Sequence, residues 1–312
     1  MNIKLISTKC AICSTFGNSK ILFPQRLPSQ NLDASPYAPR RKRDFFHYRI
    51  VKCENCGLLR SDPLIDEKEL KQFYFDSECT YTDENENIPL KKTYGSYFID
   101  MLKKYNIKKK SFLDIGCSNG FILEKALELG FEKITGVEPS KDAINQASPT
   151  IKPFIINGMF DDKIFEQNSF DMITFFQTFD HITEPNIFLQ NCFKVLKEDG
   201  FILAINHNAK SFSAKIMGEK SPIIDIGHAY LYDLTTMKKI FEQNNFVVHD
   251  VFPIKNTVSI ERLIQLLPIN SVTADKIQKI AKLLRINKFS LKLPLGNLGI
   301  IAQKRNNINS KI

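Results

Sequence analysis

The segment Phe112-Leu-Asp-Ile-Gly-Cys-Ser-Asn-Gly120 constrains the fold more than any other part of the chain. Its apolar beginning predicts a buried strand, and the apolar residues that follow Gly120 predict a helix. Gly116 lets the backbone turn tightly without a Cβ clash, and Gly120 lets the helix begin close to a ligand. A glycine-rich turn in this position is typical of an α/β sheet that binds a ligand at its edge.

The sequence after residue 112 alternates between apolar strands and amphipathic helices, which predicts a doubly wound, mainly parallel sheet of seven strands. An amphipathic lead-in helix is expected over residues 90–110, and two further helices are expected before the last strand, around Ile260–Leu267 and Ala274–Leu284. The predicted strands are Phe112–Ile115, Ile134–Glu138, Phe154–Ile156, Phe170–Phe176, Phe201–Asn206, Phe246–Phe252 and Leu298–Gln303. The other predicted helices are Phe121–Leu129, one capped by Ser140, Asn186–Leu196 and Thr235–Asn244.

Two carboxylates are predicted to meet beside the glycine turn. Asp114 stands two positions before Gly116, and Glu138 ends the next predicted strand. Because ligands of doubly wound sheets bind beyond the carboxyl ends of the strands, both should face one crevice. A carboxylate such as Glu138 can accept the protons of both ribose hydroxyls. The turn lacks the middle glycine of the dinucleotide fingerprint, since Ser118 stands there.

These segments resemble class I S-adenosylmethionine (SAM)-dependent methyltransferases, whose first motif is an acidic residue followed by Gly-x-Gly-x-Gly. The resemblance extends over about residues 90–252 and the last strand. Four more segments match in the expected order: Gly136-Val-Glu-Pro-Ser140, Ser169-Phe-Asp-Met-Ile173, Asp180-His-Ile-Thr-Glu-Pro185 and Leu196-Lys-Glu-Asp-Gly200.

The resemblance implies a SAM site with a defined place for each part of the cofactor. Asp114, Gly116, Ser118 and Gly120 would line the methionine side, and Glu138 would hold the ribose. Asp161 would lie near the adenine. Gln177 and Thr178 would face the sulfonium.

Two Cys-x-x-Cys pairs, Cys10 with Cys13 and Cys53 with Cys56, predict a structural zinc site, because four thiolates can surround a tetrahedral Zn²⁺. The pairs also resemble N-terminal metal-binding modules of bacterial sugar C-methyltransferases. A redox role fits poorly, because neither pair opens a helix after a strand. Catalytic zinc fits poorly too, because four thiolates leave no open coordination position.

Two histidines, His181 and His228, are candidates for the general base that a hydroxyl or carbon-acid acceptor needs. Both are predicted on loops at the edge where the cofactor would bind. The alternative for each is a loop histidine that hydrogen-bonds a backbone carbonyl. His47, His207 and His249 are expected to be structural or exposed, with a role for His207 left open because it ends a predicted strand.

Composition and charge limit the class of partner. The 312 residues carry a formal charge of +9, which permits binding to phosphates, nucleotide-linked substrates or an anionic membrane surface. The sequence contains no signal peptide and no apolar stretch that could span a bilayer, so a cytoplasmic location is expected. No nucleic-acid-binding motif is apparent.

Four regions are predicted: a zinc-binding module over 1–80, a SAM-binding domain over 81–257, a helical insertion over 258–288, and the last strand with a tail over 289–312. The insertion would act as a lid or a dimer element, and a homodimer is one possible assembly. The expected function is methyl transfer to a small molecule such as a nucleotide-linked sugar, a surface-polysaccharide intermediate or a secondary metabolite. Two alternatives are an RNA methyltransferase and a non-catalytic SAM-fold binding protein. The RNA alternative is disfavoured because the segment Gln177–His181 of this chain lacks the Asn/Asp-Pro-Pro-aromatic motif of amino-group methyltransferases.

Overall fold

The computed structural model describes residues 4–28, Ala34, Tyr37, 45–77, 84–266, 271–286 and 289–305. Cys79 and the predicted tail beyond residue 305 lie outside the described residues. In the described part, the strands are β1 Leu5–Ile6, β2 Ser19–Phe23, β3 Ile50–Cys53, β4 Leu59–Ser61, β5 Leu64–Ile65, β6 Ser111–Ile115, β7 Lys133–Glu138, β8 Ile155–Asn157, β9 Phe170–Phe176, β10 Leu196–His207, β11 Tyr230–Leu231, β12 Phe246–Ser259 and β13 Ser290–Lys304. The helices are α1 Glu67–Asp76, α2 Glu84–Lys104, α3 Phe121–Glu128, α4 Lys141–Asn145, α5 Pro185–Val195, α6 Phe212–Met217, α7 Leu234–Gln243, α8 Ile260–Leu266 and α9 Ser271–Leu283.

The main sheet has seven strands in the order β12-β13-β10-β9-β6-β7-β8. The five strands from β8 to β10 are parallel, and β13 pairs antiparallel with both β10 and β12. Every side chain of β6 and β9 is buried, as expected for central strands covered on both faces. The predicted doubly wound, mainly parallel seven-stranded sheet is confirmed.

Two apolar clusters cover the two faces of this sheet. On one face, α2 and α3 contribute Tyr94, Phe98 and Ile122. On the other face, α5 and α7 contribute their apolar sides to a larger cluster, which also contains buried residues from the first 70 positions such as Cys10, Tyr48 and Leu58. Part of the N-terminal region therefore packs into the core of the α/β domain.

The N-terminal region also forms sheets of its own. Strands β1 and β5 pair, and β2, β3 and β4 form an antiparallel sheet. The fourth strand of that sheet is β11, which pairs with β4 through Tyr230 and Leu231. The sheet is thus completed by a segment from far along the chain. The division at residue 80 remains a prediction.

The lead-in helix ends earlier than predicted. We expected it to extend to residue 110, but α2 ends at Lys104. Asn106 takes a left-handed conformation with φ of 47°, and the N–H of Ile107 bonds the carbonyl of Leu102 across the turn. A left-handed residue ends a helix in this way. The apolar periodicity of the sequence continues past Asn106 and therefore does not mark this end.

The predicted insertion lies at the tip of a long hairpin. Strands β12 and β13 pair as far as Ser259 and Ser290, and α8 and α9 lie between them. Leu283, at the end of α9, is 83% exposed. A role for this arm as lid or dimer element remains a prediction. Within the described residues, no helix has both the length and the apolar character needed to cross a bilayer.

Candidate active site

The glycine turn lies between β6 and α3, as the sequence predicted. Gly116, Ser118 and Gly120 all have positive φ, of 71°, 50° and 74°. A Cβ on Gly116 would overlap the hydroxyl of Thr178, and one on Gly120 would lie 2.5 Å from Ile151 Cγ2. The chain therefore requires glycine at both positions, for conformation and for space.

Glu138, at the end of β7, holds this turn through its carboxylate. Oε2 accepts a hydrogen bond from the backbone N–H of Ser118 at 2.8 Å, and Oε1 accepts one from the N–H of Ser140 at 2.9 Å. Burial raises the pKa of Glu138, and the two N–H donors oppose that shift. Ser140 also caps α4 through Ala143 N–H, as predicted. Each carboxylate oxygen keeps acceptor capacity for a further hydroxyl.

Asp114, the last but one residue of β6, is fully buried near the same turn. Its Oδ1 accepts a 2.6 Å hydrogen bond from the Thr174 hydroxyl on β9. Burial raises its pKa to about 7, and the nearby Glu138 carboxylate adds to the rise against the effect of Thr174. A carboxyl with this pKa becomes anionic when a cation binds beside it.

The other predicted cofactor residues lie at the same edge of the sheet. Asp161 follows β8 and is exposed, and its side chain accepts the N–H of Lys163 at 3.0 Å. Gln177 follows β9 with φ of 53° and donates from Nε2 to the Tyr94 hydroxyl at 2.8 Å. The Oε1 atom of Gln177 is buried without a hydrogen-bond partner among the described residues. Neither contact tests the roles predicted for these two residues.

Three histidines surround one buried aspartate next to the turn. Asp180 follows β9 and is 1% exposed. Its Oδ2 accepts the Nδ1–H of His207 at 2.6 Å, and its oxygens lie 3.9 Å from His181 Nε2 and 3.8 Å from His228 Nε2. The ring of His228 lies 4.7 Å from that of His181 and 4.8 Å from that of His207.

Electrostatics within this cluster keep Asp180 charged. Burial alone would raise its pKa, but His228 and His207 outweigh that effect, and the pKa of Asp180 lies well below its ordinary value. Burial also lowers the pKa of His181. The predicted pair of histidines thus lies together, and its shared partner is an anion.

Sequence reasoning left a role for His207 open and did not single out Asp180 as its partner. His207 makes the shortest contact of the three histidines to Asp180. The available signal was topological: His207 ends β10 and Asp180 follows β9, which is its parallel neighbour. Carboxyl ends of adjacent parallel strands meet at the same edge.

The four predicted zinc ligands converge. Their sulfur atoms all lie within 4.8 Å of one another, with Cys10 Sγ 3.4 Å from Cys56 Sγ and Cys13 Sγ 4.0 Å from Cys53 Sγ. Tetrahedral Zn²⁺ with bonds of about 2.3 Å holds its sulfur ligands about 3.8 Å apart. Burial opposes ionisation of Cys53, but the N–H groups of Cys56 and Asn55 outweigh it and lower its pKa to about 7. The donor set and spacing therefore fit zinc.

About half of this chain is similar to a known protein family. A family model described as "Methyltransferase domain" matches residues 91–251. Ubiquinone biosynthesis O-methyltransferase of Glaesserella parasuis is 31% identical over 121 residues, which cover 35% of this chain and 51% of the relative. The relative of the same name in Coxiella burnetii is 27% identical over 165 residues, which cover 51% of this chain and 70% of the relative. The chain thus spans only about half of the first relative.

Among solved structures, a SAM-dependent methyltransferase from Archaeoglobus fulgidus aligns with 77% of this chain and all of its own, at 23% identity and a TM-score of 0.46. The structure of a "putative methyltransferase" from Bacillus halodurans aligns with 68% of this chain and all of its own, at 15% identity and a TM-score of 0.47.

Proposed function

Because the chain belongs to the class I SAM-dependent methyltransferases, we propose that it transfers a methyl group from SAM to a small-molecule acceptor bound beside Asp180, His181 and His228. When bound, SAM supplies the methyl group. The observation that supports this site best is the turn itself, in which three residues have positive φ and the N–H of Ser118 bonds Glu138. The enzyme's main task is then to align donor and acceptor in a crevice that excludes water.

The cofactor residues are proposed with the roles that the sequence suggested. The methionine part would lie along the turn, next to the buried Asp114, whose ionisation the cationic amino group would favour. Glu138 would receive the ribose hydroxyls with the acceptor capacity that its two N–H donors leave. The complete proposed set is Asp114, Gly116, Ser118 and Gly120 on the methionine side, Glu138 at the ribose, Asp161 near the adenine and Gln177 near the sulfonium.

The acceptor is proposed to carry a hydroxyl. His181 and His228 lie on the loops that follow β9 and β10, and either can act on a proton of the acceptor. The curated relatives are named O-methyltransferases of ubiquinone biosynthesis, which supports a small-molecule acceptor over RNA. We propose a nucleotide-linked sugar, a surface-polysaccharide intermediate or a secondary metabolite as the acceptor class.

Calorimetry with SAM tests the cofactor site. Glu138→Ala removes the acceptor for two backbone N–H groups and for the ribose, so SAM binding should weaken about 10- to 100-fold. Glu128→Ala, an exposed glutamate on α3, is the matched control and should bind like the parent protein. A parent protein that does not bind SAM, or Glu138→Ala binding as the parent does, would contradict the assignment.

We also propose that the four cysteines bind a structural Zn²⁺. Binding would contribute on the order of 10 kcal/mol to folding of this region, because the ligands are scattered in the unfolded chain. Native mass spectrometry should find one zinc per chain, lost in Cys53→Ser and kept in Cys192→Ala. Hydrogen exchange should then speed up in β3 and β4 and also in β11, which pairs with β4. Freshly purified, reduced protein without zinc would refute the proposal.

A further inference from the structure

A second group of metal-binding side chains lies outside the cysteine cluster. His181, His228 and Asp180 each offer one ligand atom, and these atoms all lie within 4.8 Å of one another. Asp180 and His228 are buried, while His181 is 28% exposed at its side chain. The group thus reaches solvent through His181, while Asp180 and His228 are enclosed by protein.

Hydrogen bonds at the far side of both rings determine which nitrogen can bind an ion. His181 Nδ1 lies 2.9 Å from the Gly227 carbonyl oxygen, and His228 Nδ1 lies 2.8 Å from that of Ile223. A carbonyl oxygen only accepts, so each Nδ1 donates a proton to it, and Nε2 is the ring nitrogen that can bind an ion. Metal-binding histidines are held in the same way, by a backbone acceptor at the other ring nitrogen.

The aspartate supplies an independent reason to expect a cation. Its Oδ1 atom is buried, and no described residue makes a hydrogen bond to it. Its Oδ2 atom is fixed by the 2.6 Å contact with His207 Nδ1. A buried carboxylate oxygen without a hydrogen-bond partner is costly. A positive ion placed between the three groups would remove this cost.

We propose that Asp180, His181 and His228 bind one divalent transition-metal ion at the acceptor end of the crevice. Two imidazoles and a carboxylate are suited to Zn²⁺, Fe²⁺ and Co²⁺, and three protein ligands leave a coordination position open. His207 positions the carboxylate. An oxygen of the acceptor occupies the open position, a step that rests on the proposed function, whereas binding of the ion does not. The two histidines then act through the ion rather than as free bases.

Local geometry allows the ligands to close around an ion. Metal–ligand bonds of about 2.1 Å place ligand atoms about 3.4 Å apart, so side-chain movements below about 1 Å suffice. The site also adjoins the cofactor turn, because Thr178, two residues before Asp180, bonds the Ile115 carbonyl and packs against Gly116. A metal-bound oxygen would thus lie at the same sheet edge as the donor.

Titration of the full-length protein, loaded with one equivalent of zinc for the four cysteines, with Co²⁺ tests this inference, with metal content measured by native mass spectrometry and absorption spectroscopy. The parent protein should bind one Co²⁺ in addition to the zinc. His181→Asn and His228→Asn keep a donor in the place of Nδ1 but remove Nε2, so Co²⁺ binding should weaken about 100-fold or more. His249→Asn, which changes an exposed histidine on β12, should bind like the parent.

The outcomes separate this inference from the proposed function. The metal site would be overturned if the parent bound no additional Co²⁺. It would also be overturned if the two histidine variants bound Co²⁺ as tightly as the parent. Calorimetry with SAM on each variant shows whether the cofactor site is intact, so a misfolded variant is recognised and replaced by His228→Gln. A parent protein that binds SAM but no additional ion would contradict the metal site alone. A parent protein that binds the additional ion but no SAM would contradict the proposed function alone.

Discussion

Two buried aspartates on neighbouring parallel strands have opposite electrostatic behaviour. Asp114 lies in β6 and Asp180 follows β9, and both are at most 3% exposed. The pKa of Asp114 is raised to about 7 by burial and by Glu138. The pKa of Asp180 is instead lowered, because His228 and His207 outweigh the same burial. Burial therefore does not decide the charge of an aspartate, and its neighbours do.

This difference divides the crevice into two ends with different chemistry. Near the glycine turn, Asp114 can be neutral until a cationic ligand arrives. Near the histidines, Asp180 is anionic over the whole physiological pH range and is suited to hold a permanent cation or to orient imidazoles. This contrast is consistent with the proposed SAM site beside Asp114 and the proposed acceptor site beside Asp180.

Asp114→Asn is expected to give the largest effect on this contrast. A folded-state pKa of about 7, against about 3.8 in the unfolded chain, means that stability falls as pH rises from about 4 to 7. Asparagine removes that loss, so the free energy of unfolding at pH 8 without SAM should rise by about 2–4 kcal/mol. Urea unfolding at pH 4, 6 and 8 measures it.

The gain should disappear at pH 4, where the folded carboxyl of the parent is neutral and the unfolded one is about half protonated. Asp100→Asn, at an exposed position of α2, is the control and should leave the pH profile unchanged. A stability difference between the parent and Asp114→Asn that is the same at pH 4 and at pH 8 would contradict the raised pKa of Asp114.

Asp180→Asn should act with the opposite sign. Asparagine has no charge to interact with the histidines, and it weakens the 2.6 Å contact to His207. The free energy of unfolding at pH 8 should therefore be about 1.5–3 kcal/mol lower than in the parent. Urea unfolding at fixed pH measures the change. A variant as stable as the parent would mean that the histidine cluster contributes nothing to folding, and the contrast with Asp114 would then be one of pKa alone.

Thr174→Val should have the smallest effect. The Thr174 hydroxyl donates to Asp114 Oδ1 and so supports the ionised form, while valine has nearly the same shape. The loss should be about 1 kcal/mol at pH 8, and the pH at which stability stops falling should move upward from about 7. An unchanged midpoint in the pH profile would show that Thr174 does not tune Asp114.

The glycine turn could be predicted because its determinants are local. Gly116 and Gly120 follow an apolar strand directly and take the positive φ that the sequence demanded. The capping role of Ser140 was predicted for the same reason. The end of α2 was predicted wrongly, because the left-handed turn at Asn106 does not interrupt the apolar periodicity that marks a helix.

The sequence by itself determined the alternation of strands and helices, the strand–turn–helix at residues 112–121 and the two Cys-x-x-Cys turns, since each depends on residues within a few positions of one another. Only the tertiary structure decided that His207 bonds Asp180, that β11 completes the N-terminal sheet, and that Asp114 and Asp180 differ in charge. These features depend on groups brought together by packing, and the desolvation and Coulomb energies that act between them have no trace in local sequence.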